Sequence, residues 1–246
     1  AVDLGSAIIL TSAGTARALG VPQDKWVWLA GAAEAAEPPL SERAVIRRSA
    51  ALDFAIPAAL DQAGLAATDL GPVDIYSCFP CAVFAAVDSM QDASRALGDY
   101  TLTGGLTFFG GPGNGFAMYN ITAMVDALRQ DPSKPAMVTA NGGVMSKQAV
   151  GIYTATQPPV AWSGDVAKSY VPSAIALDDA PEGKARVLSF VRAAGKDGFG
   201  PATVLLETEG GARAMAVIDC PVDADLGNAV VHVTPGEKRH IAILIG

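Results

Sequence analysis

The chain has 246 residues, half of them hydrophobic and 17% charged, with a formal net charge of −8. That composition suits one large or two ordinary globular domains with a sizeable core, and it excludes a disordered chain. The acidic balance argues against nucleic acid or an anionic membrane surface as partner, since both want a basic face, but it leaves room for a small anionic ligand on a Gly-rich loop or helix N-terminus.

No stretch reaches the ~18–20 uninterrupted apolar residues of a membrane span. The start, AVDLGSAIILTSAG, carries Asp3 and no basic residue, so no signal peptide is expected. Three cysteines are an odd number without framework spacing, which fits a reducing, cytoplasmic setting.

In chain order, SAIIL (6–10) reads as a buried strand, SAGTARALG (12–20) as a short helix and KWVWLAGAAEA (25–35) as a second strand. PPLSER (38–43) reads as a helix start with Ser41 as N-cap, and the helical pattern runs to about Gly64 with a kink or break expected at Pro57. A short strand follows at 73–77, then a helix over 82–98 with Val83, Val87, Met90 and Leu97 at helical spacing. Asn114–Arg129 is another helix, with Phe116, Met124, Val125 and Leu128 on one side. PAMVTANGG (135–143) is a buried strand ending in a Gly turn, and QAVGIYTA (148–155) is the strand after it. This alternation is the pattern of a layered α/β domain. The Pro-rich 156–166 reads as a linker. Five β-like runs then follow, with KDGFG (196–200) and EGGAR (209–213) as hairpin turns, which is a small antiparallel sheet or barrel.

Two stretches invite chemistry. In TGGLTFFGGPGNG six glycines crowd a loop that opens a helix. Such a loop can aim backbone N–H groups at negative charge, or it can simply turn tightly against a strand. It has neither the Walker spacing nor G-x-G-x-x-G. In YSCFPCAVF, Cys78 and Cys81 form C-F-P-C at a helix start, where a thiol pKa can fall. There is no second Cys pair, and both histidines, His232 and His240, lie in the β-rich tail, so no metal site is expected. Cys220 reads as a buried strand residue, and Trp26 and Trp28 as packing on one strand face.

Three motifs in order, DIYSCFPCAV, GGLTFFGGPGNG…AMVDALR and VTANGG…K…VGIYT, make the chain resemble the C-terminal half of a thiolase-superfamily protein. The likeness is to the acetyl-CoA acetyltransferase-like group that has an additional C-terminal β domain. DLGSAIILTSAGTARALG is similar to the last strand and helix of a thiolase's N-terminal half. The resemblance implies an α/β fold: a thiolase-like layered α-β-α half over 1–158, followed by a small all-β, OB-like domain over 159–246.

The resemblance also implies a function. Thiolases acylate a nucleophilic cysteine from a CoA thioester, and that cysteine belongs to the N-terminal half, which this chain lacks. The C-terminal half brings three loops, each recognisable here and each altered. Where sterol-carrier-type thiolases read His-Asp-Cys-Phe, this chain has Tyr76, Ser77, Cys78 and Phe79. The Gly-His-Pro loop reads Gly110-Gly111-Pro112, and the Cys-x-Gly loop reads Ala140-Asn141-Gly142. Glycine and alanine cannot exchange protons with a thiol or a carbanion. Cys81 stands where related proteins usually carry Ser.

The resemblance thus implies Tyr76, Cys78 and Asn141 as catalytic candidates, and Gly110, Gly111, Pro112, Asn114, Gly142 and Gly143 as ligand-binding candidates. On the residues alone, alternatives stay open. Tyr76 is an acid/base or a strand-end tyrosine, and Asn141 is a thioester-oxygen donor or a turn residue. Asn114 contacts ligand or, more simply, caps the helix. The expected ligand is a CoA thioester, with no permanently bound cofactor. The expected partner is a chain or segment holding the missing half, in a homo- or hetero-oligomer. Three functions compete: an acetyl-CoA acetyltransferase-like acyltransferase completed by that half, a catalytically degenerate acyl-CoA-binding or scaffold protein, and a thiolase-fold aldolase or lyase using Tyr76.

Overall fold

The computed structural model describes residues 3–160, 167–170 and 172–245. It divides into two compact units: Ala1–Glu37 with Val45–Pro172, and Pro38–Ala44 with Ser173–Gly246.

In the first unit a five-stranded sheet has the order β2-β3-β4-β1-β5, with β1 at Trp28–Ala36, β2 at Val73–Asp74, β3 at Ala136–Gly142, β4 at Lys147–Thr154 and β5 at Ala167–Tyr170. The β3–β4 and β1–β4 pairs are antiparallel, whereas β2–β3 and β1–β5 are parallel. Helix α2, Ala50–Ala63, lies on one face through its buried Ala51, Ala55 and Ala59. The small side chains let it approach closely: a Cβ on Gly31 of β1 would sit 2.1 Å from the Ala59 carbonyl oxygen, so only glycine fits there. Val150 and Ile152 of β4 fill the same core with Leu52, Ile56, Ala85 and Ala86. Helix α5, Phe116–Gln130, buries Met124 and Leu128 against Ala136 and Val138, which form a separate cluster.

Several local expectations are corrected. SAIIL forms no strand: Ile9 and Leu10 are 92% and 90% exposed, and the segment pairs with no strand among the described residues. The helix after it is α1, Ala13–Ala18, capped by Ser12. Ser41 is no N-cap but lies inside a 3₁₀ turn, Leu40–Glu42, that Pro39 precedes. The true N-cap of α2 is Ser49, whose Oγ accepts from Leu52 N–H, while Glu37 accepts from the Ser49 hydroxyl and from Ala51 N–H. One helix runs through Pro57, whose ring is on an exposed position, and Gly64 at φ 67° ends it. The 82–98 helix is shorter and earlier: α3 is Pro80–Met90, and the chain then turns into a 3₁₀ segment at Leu97–Tyr100. Of the expected linker, 161–166 lies outside the described residues.

The second unit is a closed five-stranded barrel of order β10-β8-β7-β6-β9. Its strands are β6 (Gly183–Gly195), β7 (Gly198–Thr208), β8 (Arg213–Ile218), β9 (Val230–Thr234) and β10 (His240–Leu244). It is not wholly antiparallel, because β10 runs parallel to β8 and so closes the barrel in the OB manner. Both hairpin turns lie where the sequence put them, and Val187, Val204, Leu206, Ile218, Val231 and Val233 fill the interior.

Candidate functional site

At the end of β2 and β3 in the first unit, the three motifs meet. β2 and β3 are parallel, so the residues that follow β2 lie beside the last residues of β3. The Tyr76 N–H donates to Thr139 Oγ1 of β3 at 3.0 Å. The Tyr76 ring stands edge-on to Phe116, the first residue of α5, with centroids 5.3 Å apart. The Ser77 Oγ accepts from Leu106 N–H at 3.0 Å, which ties this strand end to the Gly-rich loop. Asn141 Nδ2 reaches Cys78 Sγ at 3.7 Å, and Cys81 Sγ lies 3.9 Å from Met145 Sδ.

The Gly-rich loop carries a short helix α4, Leu106–Phe109, followed by a 3₁₀ turn at Gly113–Gly115. Gly105 needs its glycine twice over: φ is 77° with ψ 179°, and a Cβ would meet Ser77 Oγ at 2.5 Å. Gly110 ends α4 at φ 102° and donates to the Leu106 carbonyl. Pro112 opens the 3₁₀ turn and its carbonyl accepts from Gly115 N–H. Gly111 is exposed, and a side chain there would meet only Leu106 Cδ2, at 3.5 Å. Asn114 is exposed and does not cap α5, whose N-cap is Gly115 without a side-chain bond. Gly142 ends β3. After it Gly143, Val144 and Met145 all have φ between 55° and 60°, so this hairpin tip holds two non-glycine residues in the left-handed region.

Burial is what shifts the titrations here. It pushes the Cys78 thiol up, opposed by the Phe79 backbone N–H and reinforced by neighbouring Cys81. It also pushes the Tyr76 phenol up, with Cys78 adding to the effect. Near neutral pH both groups keep their protons. The site therefore presents an O–H, an S–H and the Asn141 amide, all neutral donors. The two histidines are on β9 and β10 of the barrel, not in this unit. Such a set suits binding and polarising an acyl oxygen better than abstracting a proton.

The two thiols of C-F-P-C sit in different settings. Phe79 is the extended N-cap of α3, at φ −146° and ψ 154°, so Cys78 lies in the segment between β2 and the helix and Cys81 is already inside the helix. The two sulfurs engage different residues of the β3–β4 hairpin, and both are free thiols.

Asn141 and Gly142 also line a mostly apolar cavity of about 330 Å³ with Glu34, Ala36, Ala140 and Lys147, within the usual range of ligand pockets. A groove of about 720 Å³ on the barrel, lined by Asp178, Asp179, Lys238, Arg239 and His240, is larger but mixes both charge signs and is remote from the three motifs in sequence. Sequence reasoning missed three anchors: Thr139, the Ser77 hydroxyl as an acceptor, and Asp74. The last is a fully buried carboxylate whose only sequence signal was an acidic residue inside an apolar strand.

No protein-family model and no curated protein matches the chain. Among solved structures it is similar to a monomeric SCP2-thiolase-like protein type 1 from Mycobacterium smegmatis, with 34% identity and a TM-score of 0.82 over 94% of this chain and 53% of that one. It is also similar to human mitochondrial 3-ketoacyl-CoA thiolase, solved alone and in complex with CoA, with 21% identity and a TM-score of 0.46 over 59% of this chain and 34% of that one. The chain thus spans about half the length of the mycobacterial structure it matches.

Proposed function

This chain has a thiolase-like fold, and from that premise we propose that it forms the thioester-binding half of an acyl-CoA protein of the acyltransferase type. The observation that supports this best is the meeting of three motifs at one sheet end, where Tyr76, Cys78 and Asn141 offer neutral donors. In this reading the thioester carbonyl accepts from Asn141 Nδ2 and from the Tyr76 hydroxyl, and the Gly110-Gly111-Pro112 loop with Asn114, Gly142 and Gly143 shapes the approach of the ligand. Polarising that carbonyl lowers the barrier to attack on the acyl carbon, a contribution of about 3–4 kcal/mol for one well-placed donor. A nucleophile and a base for complete acyl transfer come from a chain or segment carrying the rest of the fold. Three free thiols suit a reducing, cytoplasmic setting, and among the described residues no helix is long and apolar enough to cross a membrane.

A second reading is acyl-CoA binding without turnover, and the neutral donor set itself favours it, since Gly111 and Ala140 carry no acid or base. Calorimetric titration with acetyl-CoA, paired with a transfer assay on the same protein, separates the two. Saturable binding with turnover once the rest of the fold is supplied supports the first reading, and binding that never leads to turnover supports the second. Absence of any binding by the completed fold sinks both.

A further inference from the structure

Asp74 is 0% exposed at the end of β2, and among the described residues no cation pairs with it. Burying a carboxylate is costly unless hydrogen bonds replace its water. Here they come from one short segment: Thr103 N–H donates to Oδ2 at 3.0 Å and Thr101 Oγ1–H to Oδ1 at 3.4 Å. The segment continues the contact. Thr101 Oγ1 accepts from Gly104 N–H at 2.9 Å, and Leu106 N–H then donates to Ser77 Oγ at 3.0 Å. Residues 74–77 and 101–106 are therefore closed into one hydrogen-bonded ring, anchored at a buried carboxylate and ending beside Cys78.

We propose that Asp74 is a positioning residue: its carboxylate fixes the 101–106 segment and through it the placement of Ser77, Cys78 and the Gly-rich loop. A carboxyl group suits this work because its two oxygens offer enough lone pairs to hold two donors at once. The low-lying alternative, a loop turned outward, leaves the carboxylate buried without partners and is disfavoured by that penalty. The inference takes its functional meaning from the proposed thioester site. Its test uses no ligand, so failure of thioester binding and failure of this inference are read separately.

The experiment is amide hydrogen exchange by NMR on the full chain, together with iodoacetamide alkylation of Cys78 in a Cys81→Ser, Cys220→Ser background. In Asp74→Ala, the Thr103 and Leu106 amides should exchange about tenfold faster or more, the factor expected from losing one buried hydrogen bond. Met137 and Val138 amides of β3 should keep their protection, and Cys78 should alkylate severalfold faster. Asp74→Asn keeps an oxygen for Thr103 N–H and should restore most of the protection and the slow alkylation. A merely structural role would move all amides together and leave the Cys78 rate tied to global unfolding. If Asp74→Ala does not fold, Thr101→Val decides: it removes the hydroxyl that both donates to Asp74 and accepts from Gly104, at nearly constant volume. Faster Gly104 exchange and faster Cys78 alkylation support the proposal. Unchanged local exchange and unchanged alkylation in a folded Asp74→Ala or Thr101→Val protein overturn it.

Discussion

Two glycines six residues apart in the same loop should respond to alanine with opposite signs. Gly105 has φ 77° and ψ 179°, a region in which an L-residue is strained by about 1–3 kcal/mol. A Cβ there would also lie 2.5 Å from Ser77 Oγ and 3.3 Å from Ser77 Cβ. Ser77 can escape only by rotating away, which breaks its bond from Leu106 N–H, a further ~1 kcal/mol. Gly105→Ala should therefore destabilise the first unit by about 2–4 kcal/mol. Gly111 is outside the left-handed region, and its Cβ would touch only Leu106 Cδ2 at an ordinary 3.5 Å. Gly111→Ala should be neutral or stabilise by up to ~1 kcal/mol, by restricting the unfolded chain. Urea denaturation followed through Trp26 and Trp28 fluorescence, both in this unit, measures the difference. Equal effects of the two substitutions, or a harmless Gly105→Ala, would refute the packing of Ser77 against this loop.

Other outcomes follow from the same geometry. Val144→Gly should stabilise the first unit by about 1 kcal/mol, because a β-branched residue at φ 55° is strained; a fall in urea midpoint would contradict this. Burial pushes the Tyr153 phenol from 10.0 up to about 12. A raised folded pKa means that its stabilising contribution is complete below pH 10, where both states are protonated, and is lost as pH rises from 10 toward 12. Over that window the loss approaches ~2–3 kcal/mol. Tyr153→Phe should flatten that alkaline decline, and an unchanged decline would show that other groups cause it. Among the thiols of the site, exposed Cys81 should alkylate before half-buried Cys78, and mass-spectrometric mapping of iodoacetamide adducts would show a reversed order if Cys78 were the activated thiol.

The sequence was most legible where local pattern and tertiary context agree. The alternating elements, the buried strand β3 and the barrel hairpins are of this kind, since apolar period and Gly turns are set within a few residues of one another. It was less legible where a partner distant in the chain decides. SAIIL has strand propensity, but a strand exists only where it pairs, and residues 6–10 pair with neither edge of the β2-β3-β4-β1-β5 sheet. Ser41 and Ser49 are both plausible caps by local chemistry. What selects Ser49 is Glu37, from just beyond β1, accepting at the start of α2. The site divides the same way. The three loops were visible as motifs, whereas the ring that holds them, Asp74 to Thr103 and Leu106 to Ser77, joins residues 29 apart and left no periodic trace.

The central claim is that Asn141 and Tyr76 donate to a thioester carbonyl at the end of β3. Infrared difference spectroscopy on acetyl-CoA labelled with ¹³C at the acetyl carbonyl, bound to the protein completed by the rest of its fold, measures this directly. The account predicts that the carbonyl stretch moves to lower frequency on binding, and that Asn141→Ala and Tyr76→Phe each remove part of the shift while the ligand still binds. A bound thioester whose carbonyl stretch stays at its solution frequency, in the wild type as in both variants, would contradict it.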